Sequence, residues 1–355
     1  MSVTTVRWQP LSVETVTAWA ELTNLLAVVD GTDEFYEAEA LAEELTEPGV
    51  DPQLDTVGVR QDGLLAGFGQ LRVASGLSEG QARAEIYGGV RPEFRGQGLG
   101  AEIMNRMEAR ALELAGQRHP GVPVMLRVPG GIEGASVRPM LKRRGYQIVR
   151  FYHELSRPIP GVLPQRPEQP VRRYSAELAE AVRLAHNDAF STHWGSIARD
   201  ADSWASLIGS RTFRPDCSFV SLTSDGDDPD GDVQAYVLVS QWVDGEAWVG
   251  LVGTRQRARG RGLARACLAA SVRAMAEQGY AKACLGVDSQ NGSGAGALYA
   301  SLGFQLDRVI AHYGRLEPAC SQLSAALGGS HRLVLARAAC AEAAATRRWS
   351  ATRMP

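Results

Sequence analysis

Residues 257–266 read RARGRGLARA, and residues 94–101 read FRGQGLGA. Both stretches contain an arginine, two glycines and a leucine in the same order, although nearly half of the 355-residue chain separates them. Each follows a run with strand character and precedes an amphipathic run. In the first copy the apolar positions of that run recur every three or four residues, at Leu99, Ile103, Met107, Ala111 and Leu114. A repeated strand–loop–helix unit in a chain of this length predicts two domains of one fold.

The order of the other predicted elements supports this division. Strands are predicted before and after the first loop at 54–60, 63–73, 83–90, 122–128 and 145–155, and around the second at 217–224, 233–243, 246–254, 282–288 and 304–317. Each domain is expected to be a mixed, mostly antiparallel sheet flanked by helices. A run with five prolines predicts a linker, because proline fits neither a helix interior nor a central strand. The expected division is an N-terminal domain over 1–156, a Pro-rich linker over 157–170, a C-terminal domain over 171–317 and an Ala-rich tail over 318–355.

Composition excludes several classes of function. The net charge is −3, and no long block of like charge predicts a nucleic-acid partner or a polybasic membrane segment. The N-terminus lacks the features of a signal peptide, and no run of eighteen apolar residues predicts a membrane span. The five cysteines form no C-x-x-C pair, so a reduced, cytoplasmic chain with buried thiols is expected. No cluster with ligand spacing predicts a metal site.

The two glycine-rich loops have the chemistry of an anion cradle. A helix N-terminus presents unpaired backbone N–H groups and partial positive charge, and glycines let a diphosphate come close to the backbone. A plain turn with solvated arginines is the simpler alternative. A P-loop would need a Lys that neither copy has. A dinucleotide fingerprint fits Gly96, Gly98 and Ala101 but fails in the second copy, where Arg265 takes the third position.

The pattern R-x-x-G-x-[GA] between a strand and an amphipathic helix resembles the acetyl-CoA pyrophosphate loop of the GNAT-type N-acetyltransferase superfamily. The second copy continues with LGVDSQNGSGAGALYASLGF at 285–304, which is similar to the next motif of that family. The resemblance covers about 5–155 and 170–316. The tandem arrangement is similar to that of mycothiol synthase and related actinobacterial acetyltransferases. The resemblance implies an α/β (α+β) fold of two tandem acyl-CoA N-acyltransferase-like domains.

The resemblance also implies acetyl-CoA as cosubstrate and a set of residues that bind it. In the C-terminal domain these are Val252, Gly253, Thr254, Arg259, Gly260, Arg261, Gly262, Leu263, Ala264 and Asn291, and in the N-terminal domain Val90, Arg95, Gly96, Gln97, Gly98, Leu99 and Gly100. Backbone groups of Val252 to Thr254 would pair with the pantetheine arm, and N–H groups near that end of the strand would stabilise an oxyanion. Asn291 is either a turn residue or a polar contact beside that arm.

Tyr299 is the candidate general acid for the departing thiolate, since a phenol with a pKa near 10 can protonate a thiolate with a pKa of about 8.5 or above. The alternative is a core aromatic on a short helix. Leu141 holds the corresponding place in the first copy, which predicts a non-catalytic first domain. The general base stays open among Glu246, Asp288 and His193.

His193 and Trp194, with His186 and Asp188 on the preceding helix, are candidate substrate contacts, although a core Trp beside a capped turn also fits. The expected activity is transfer of acetyl from acetyl-CoA to a primary amine of a small molecule, in the C-terminal domain of a monomer or homodimer. Two alternatives stay open: a non-catalytic CoA-binding sensor and a protein N-acetyltransferase. Tyr299 argues against the sensor.

Overall fold

The computed structural model describes residues 6–319 except 33, 160, 168, 223–231 and 293. The strands are β1 (Arg7–Gln9), β2 (Thr56–Gln61), β3 (Leu64–Ser78), β4 (Gln81–Val90), β5 (Val124–Pro129), β6 (Gln147–Pro158), β7 (Arg172–Arg173), β8 (Phe219–Leu222), β9 (Val233–Val243), β10 (Glu246–Thr254), β11 (Lys282–Asp288) and β12 (Gln305–Glu317). The helices are α1 (Val16–Asp30), α2 (Ala38–Glu44), α3 (Pro52–Asp55), α4 (Leu99–Arg118), α5 (Val137–Arg143), α6 (Ala179–Phe190), α7 (Ala201–Gly209), α8 (Leu263–Glu277) and α9 (Ala295–Ser301). The predicted tail from residue 320 onward lies outside the described residues.

The strands form a continuous sheet in the order β1-β2-β3-β4-β5-β12-β6-β11-β10-β9-β8-β7. Most neighbours are antiparallel, and the pairs β4–β5 and β10–β11 are parallel. Helices pack on both faces. The expectation of an α/β fold with a mixed, mostly antiparallel sheet flanked by helices is therefore confirmed.

The last strand of each half crosses to the other half. β6 runs into the first two residues of the predicted linker, and it pairs antiparallel with β11 over its residues Tyr152 to Pro158. β12 is the last described strand, and it pairs with β5 as well as with β6. The hydrogen-bonded sheet therefore joins the two halves. The domain limits predicted from the prolines divide the chain along its sequence, and they stay a prediction.

Alternation along the strands determines which side chains face which helix layer. In β9, Val237 and Val239 pack in the core with α8, whereas Tyr236 and Leu238 pack with α6 and α7 on the other face. In β10, Ala247 and Val249 belong to the α8 core. Glu246 and Trp248 must then point to the opposite face of the sheet, which is where the two halves meet.

Three of the predicted buried thiols, Cys217, Cys267 and Cys284, are buried and free, and the other two cysteines lie outside the described residues. No described helix is long and apolar enough to span a membrane. Within the same residues, no group of three or more His, Cys, Asp or Glu is placed to hold a metal ion.

Candidate active site

The two parallel strands at the centre of the C-terminal half begin side by side and then diverge. β10 pairs with β11 only from Glu246 to Trp248, which lie opposite Lys282 to Cys284. On its other edge β10 stays paired with β9, but Gly250 is an extra residue between Val249 and Leu251. This bulge and the gap leave backbone N–H and C=O groups of β10 without strand partners on the β11 side. The gap can therefore receive an extended group that hydrogen-bonds to the strand.

The loop from Arg259 to Gly262, here called the second loop, leads from β10 into α8. Gly260 and Gly262 have φ angles of 75° and 78°, and a Cβ added to either would meet no atom within 4 Å. Gly262 is the N-cap of the 15-residue helix α8 and supplies no capping side chain, so the N–H groups of the first turn have no intrahelical partner. The backbone therefore fits a diphosphate, which needs close approach and several donors.

The loop from Arg95 to Gly98, here called the first loop, has the same backbone shape, with φ angles of 76° at Gly96 and 85° at Gly98. The arginine of the first loop has a different partner from the arginine of the second loop. Arg95 forms a bidentate ion pair with Asp30, with 3.0 Å from Nη1 to Oδ1 and 2.7 Å from Nη2 to Oδ2. The arginine of the second loop, Arg259, donates instead to the backbone carbonyl of Ala189 at 2.9 Å. The carboxylate of Asp30 thus neutralises Arg95, whereas the backbone carbonyl that Arg259 contacts does not neutralise its positive charge.

The predicted acid, Tyr299, lies on α9 and is only 7% exposed. It packs edge-on against Phe304, with ring centroids 6.2 Å apart. Burial raises the pKa of Tyr299 to about 12, so the phenol is protonated at neutral pH. The corresponding Leu141 on α5 is fully buried in the N-terminal core and has no proton to give. Only the second half therefore combines an open loop with a titratable group at this position.

The turn that follows β11 contains Asp288 and Asn291. Asp288 is buried, lies 3.6 Å from the Nε of Arg150 and accepts a hydrogen bond from the backbone N–H of Gln290 at 2.9 Å. The N–H of Asn291 donates to the carbonyl of Asp288 at 3.0 Å. Asp288 thus holds the turn and pairs with an arginine of the other half, an arrangement that disfavours it as a base. The role of Asn291 stays a prediction.

A cavity of 260 Å³ lies beside the paired first residues of β10 and β11, on the face opposite α8. Both halves contribute to it. Its wall contains Thr32, Glu34, Phe35, Tyr36, Glu154, Leu155, Trp242, Val243, Glu246, Ala247, Trp248, Lys282, Cys284, Asp307 and Arg308. Among the residues predicted from sequence, Glu246 lines this cavity. The remaining residues of the cavity wall were not predicted as site residues, because they come from separate segments, none of which carries a motif.

The predicted substrate contacts His193 and Trp194 lie elsewhere. The indole of Trp194 contacts two guanidinium groups: its ring centroid lies 4.1 Å from Cζ of Arg150 and 4.7 Å from Cζ of Arg127. The next residue, Gly195, accepts a hydrogen bond from Arg83. The segment that follows α6 therefore crosses over strands of the N-terminal half and does not line the cavity that contains Glu246.

The N-terminal half departs from the C-terminal half at three points. β4 pairs with β3 without a bulge from Ala84 to Val90. Gly250 is an extra residue of β10 that has no counterpart in β4. When the two strands are aligned with that residue left out, Glu246 corresponds to Arg83, so a basic side chain stands where the C-terminal half has an acidic one. The third difference is Leu141 in place of Tyr299.

A buried His–Tyr pair supports the diverging strand from behind. The Nδ1 of His186 and the hydroxyl of Tyr236 are 2.7 Å apart, and both side chains are buried. A side chain at Gly253 would overlap the Tyr236 ring. The pair therefore helps to fix the path of β10 at the gap.

Acidification is expected to destabilise the protein through this histidine. Burial, and then the charge of Arg199, lowers the pKa of His186 from 6.5 to about 4. The unfolded chain takes up a proton below pH 6.5 while the folded chain does not, so stability is lost as the pH falls from 6.5 towards 4. At about 1.4 kcal/mol for each pKa unit, the full loss is on the order of 3 kcal/mol. His312, with its pKa likewise lowered to about 4, contributes in the same direction.

Urea unfolding between pH 7 and pH 5 measures this effect. The free energy of unfolding should fall less steeply with acidification in His186→Gln than in the parent chain. His119→Gln, at a partly exposed position, is the control and should keep the parent slope. Equal slopes in all three proteins would contradict the assignment.

Diverging parallel strands beside a glycine loop at a helix N-terminus are an arrangement in which an acyl-CoA could bind. The sequence profile of the acetyltransferase (GNAT) family matches residues 17–119 and 179–304, more than half of the chain, so the protein belongs to that family. The predicted resemblance and the tandem arrangement are confirmed. The narrower resemblance to mycothiol synthase stays a prediction, and no curated protein matches the chain significantly.

Solved structures share the fold over nearly the whole chain. A GCN5-related N-acetyltransferase from Sphaerobacter thermophilus is 22% identical, with a TM-score of 0.69 and coverage of 88% of this chain and 96% of that one. A tandem GNAT protein from the clavulanic acid biosynthesis pathway is 16% identical, with a TM-score of 0.59 and coverage of 88% and 98%. The Saccharomyces cerevisiae N-myristoyltransferase with bound myristoyl-CoA is 12% identical, with a TM-score of 0.59 and coverage of 90% and 81%.

Proposed function

We propose that the protein transfers the acetyl group of acetyl-CoA to a primary amine of a small molecule, and that the reaction takes place in the C-terminal half. The observation that carries this proposal is the bulged gap between β10 and β11, which opens beside a cavity containing Glu246. The second loop would bind the diphosphate, and the gap would hold the pantetheine arm along Val252 to Thr254.

The chemistry follows from the groups around the gap. The neutral amine attacks the thioester carbonyl, so a C–N bond forms and the C–S bond breaks. Glu246 takes the amine proton, directly or through a water in the cavity. Backbone N–H groups at the Gly250 bulge stabilise the oxyanion, and Tyr299 gives its phenolic proton to the departing sulfur. Burial weakens the phenol as an acid, but the same low-dielectric surroundings also raise the proton affinity of a thiolate beside it.

A short acyl group is favoured by the position of Trp248. A Cβ built on Gly250 would lie 3.7 Å from Cδ1 of this indole, and a Cβ built on Gly286 would lie 3.7 Å from Cζ2. The ring therefore bridges β10 and β11 on the cavity side of the gap. An acetyl group fits beside such a wall, whereas a long acyl chain would have to displace it.

The N-terminal half is proposed to be non-catalytic. Arg83 in place of Glu246 cannot accept a proton, Leu141 cannot donate one, and β4 has no bulge to aim its N–H groups. The alternative of a pure CoA sensor predicts no turnover in either half. The assay below therefore also decides between the sensor and the enzyme.

Glu246→Gln is expected to lower kcat/KM for an amine acceptor about tenfold at pH 7. The amide cannot take the proton, but the amine that is already neutral can still react, so the loss should shrink as the pH rises. The rate of CoA thiol release from acetyl-CoA measures this. Glu277→Gln, at an exposed position on α8, is the control and should leave the rate unchanged. A variant with the parent rate throughout the pH range would remove Glu246 from the mechanism.

A further inference from the structure

The residues that line the cavity between the two halves indicate which class of acceptor it can bind. We infer that the acceptor is an organic cation, a primary amine on a flat, apolar body without carboxylate or phosphate groups, and that residues from both halves select it. This inference rests on the proposed function and narrows it to one class of substrate.

One wall of the cavity is a ladder of alternating charges. Lys282 lies 3.5 Å from Glu246 and 3.9 Å from Asp307. Arg308 lies 3.6 Å from Asp307 and 3.2 Å from Glu154. Each basic group thus already lies between two carboxylates, and the ladder ends on a carboxylate at both ends. A bound anion would have to compete with these partners, whereas a cation would be attracted by the excess negative charge.

Glu34 adds another carboxylate to the cavity, from the N-terminal half. It belongs to the segment that follows α1 in the N-terminal half and is exposed to the cavity. Although the side chain is open to the cavity, desolvation by the protein packed around it raises the pKa of Glu34, with Arg308 opposing this and Glu44 adding to it. A cationic ligand would stabilise the charged carboxylate. With Glu34 included, the wall contains four carboxylates and two basic groups, a balance that attracts amines and repels acids.

Four aromatic side chains also line the cavity. Trp242 and Trp248 meet edge to face, with ring centroids 6.4 Å apart, and both are partly exposed. Phe35 and Tyr36 come from the N-terminal half. Such surfaces bind flat apolar bodies by stacking and attract organic cations through their ring faces. A sugar amine, with hydroxyl groups all around it, would leave these surfaces poorly matched.

The test compares three amines: tryptamine, tryptophan and glucosamine. Tryptophan adds a carboxylate to tryptamine, and glucosamine keeps an amine on a polar body. With the full chain and acetyl-CoA, kcat/KM for tryptamine is expected to exceed that for tryptophan and for glucosamine at least tenfold. Equal or better use of tryptophan or glucosamine would overturn the inference.

The outcomes separate this inference from the proposed function. Tight binding of acetyl-CoA without turnover of tryptamine would overturn the acceptor class and leave the acyl-CoA site standing. Failure of the chain to bind acetyl-CoA at all would instead contradict the proposed function.

Glu34→Gln tests the contribution of the N-terminal half. Because Glu34 lines the cavity but is not the proposed base, its loss should raise KM for tryptamine at least fivefold while kcat stays within twofold. The preference for tryptamine over tryptophan should narrow. Glu21→Gln, exposed on α1, is the matched control and should keep the parent KM. A parent-like KM and selectivity in Glu34→Gln would overturn the role given to this half.

Discussion

Gly262→Glu is expected to abolish acetyl-CoA binding, with the dissociation constant raised at least a hundredfold. The new side chain would extend from the helix N-terminus into the space assigned to the diphosphate, and its negative charge would repel the ligand. The loss of binding free energy combines steric exclusion of the diphosphate with electrostatic repulsion at close range. Isothermal titration of the purified chain with acetyl-CoA measures both affinity and stoichiometry.

Two glycine variants serve as controls for that result. Gly279→Glu imposes similar backbone strain, since its φ is 80° and its surroundings are also open, but it lies at the far end of α8. It should bind acetyl-CoA like the parent. Gly98→Glu alters the first loop, and one site per chain should survive it. Binding lost in Gly98→Glu but kept in Gly262→Glu would place the working site in the N-terminal half and refute the assignment.

Tyr299→Phe is expected to lower kcat about a hundredfold, within the range for loss of a general acid, while acetyl-CoA binding stays within twofold. The substitution removes a single oxygen from a side chain that is otherwise packed in the core against Phe304, so the fold should tolerate it. The rate of acetyl transfer measured at saturating acetyl-CoA isolates the chemical step from binding.

Tyr280→Phe is the matched control for this measurement. Its hydroxyl bonds the side-chain oxygen of Gln241 at 2.8 Å, away from the cavity that contains Glu246. The control should lose stability rather than rate. An unchanged kcat in Tyr299→Phe would leave Tyr299 as a core aromatic, the alternative that its burial also allows.

Local sequence patterns predicted many of the elements closely. The predicted strands at 233–243, 246–254 and 282–288 coincide with β9, β10 and β11, and the predicted first-copy helix lies within α4. Strand alternation and helical periodicity are properties of neighbouring residues, so a single stretch contains the whole signal. α1 and α2 went unpredicted, although their apolar side chains pack in the core beside β3.

Part of the candidate site was also within reach of the sequence. Both glycine loops, Tyr299 and its replacement by Leu141 follow from a repeated motif with fixed spacing. Glu246 was one of three candidate bases, and its place in the cavity is what singles it out. Trp194 could not be placed from sequence, because its partners Arg127 and Arg150 belong to strands of the other half.

The sequence by itself determined the repeated unit, the family and the loops with their helix N-termini, because these depend on residues that are close in the chain. Only the tertiary structure decided the rest. The exchange of β6 and β12 between the halves depends on which distant strand edges pair, and residue order does not encode that directly. The bulge at Gly250 becomes visible only against the register of β9. The same pairing assembles the cavity, since it brings the charges of β12 and the segment after α1 beside Glu246.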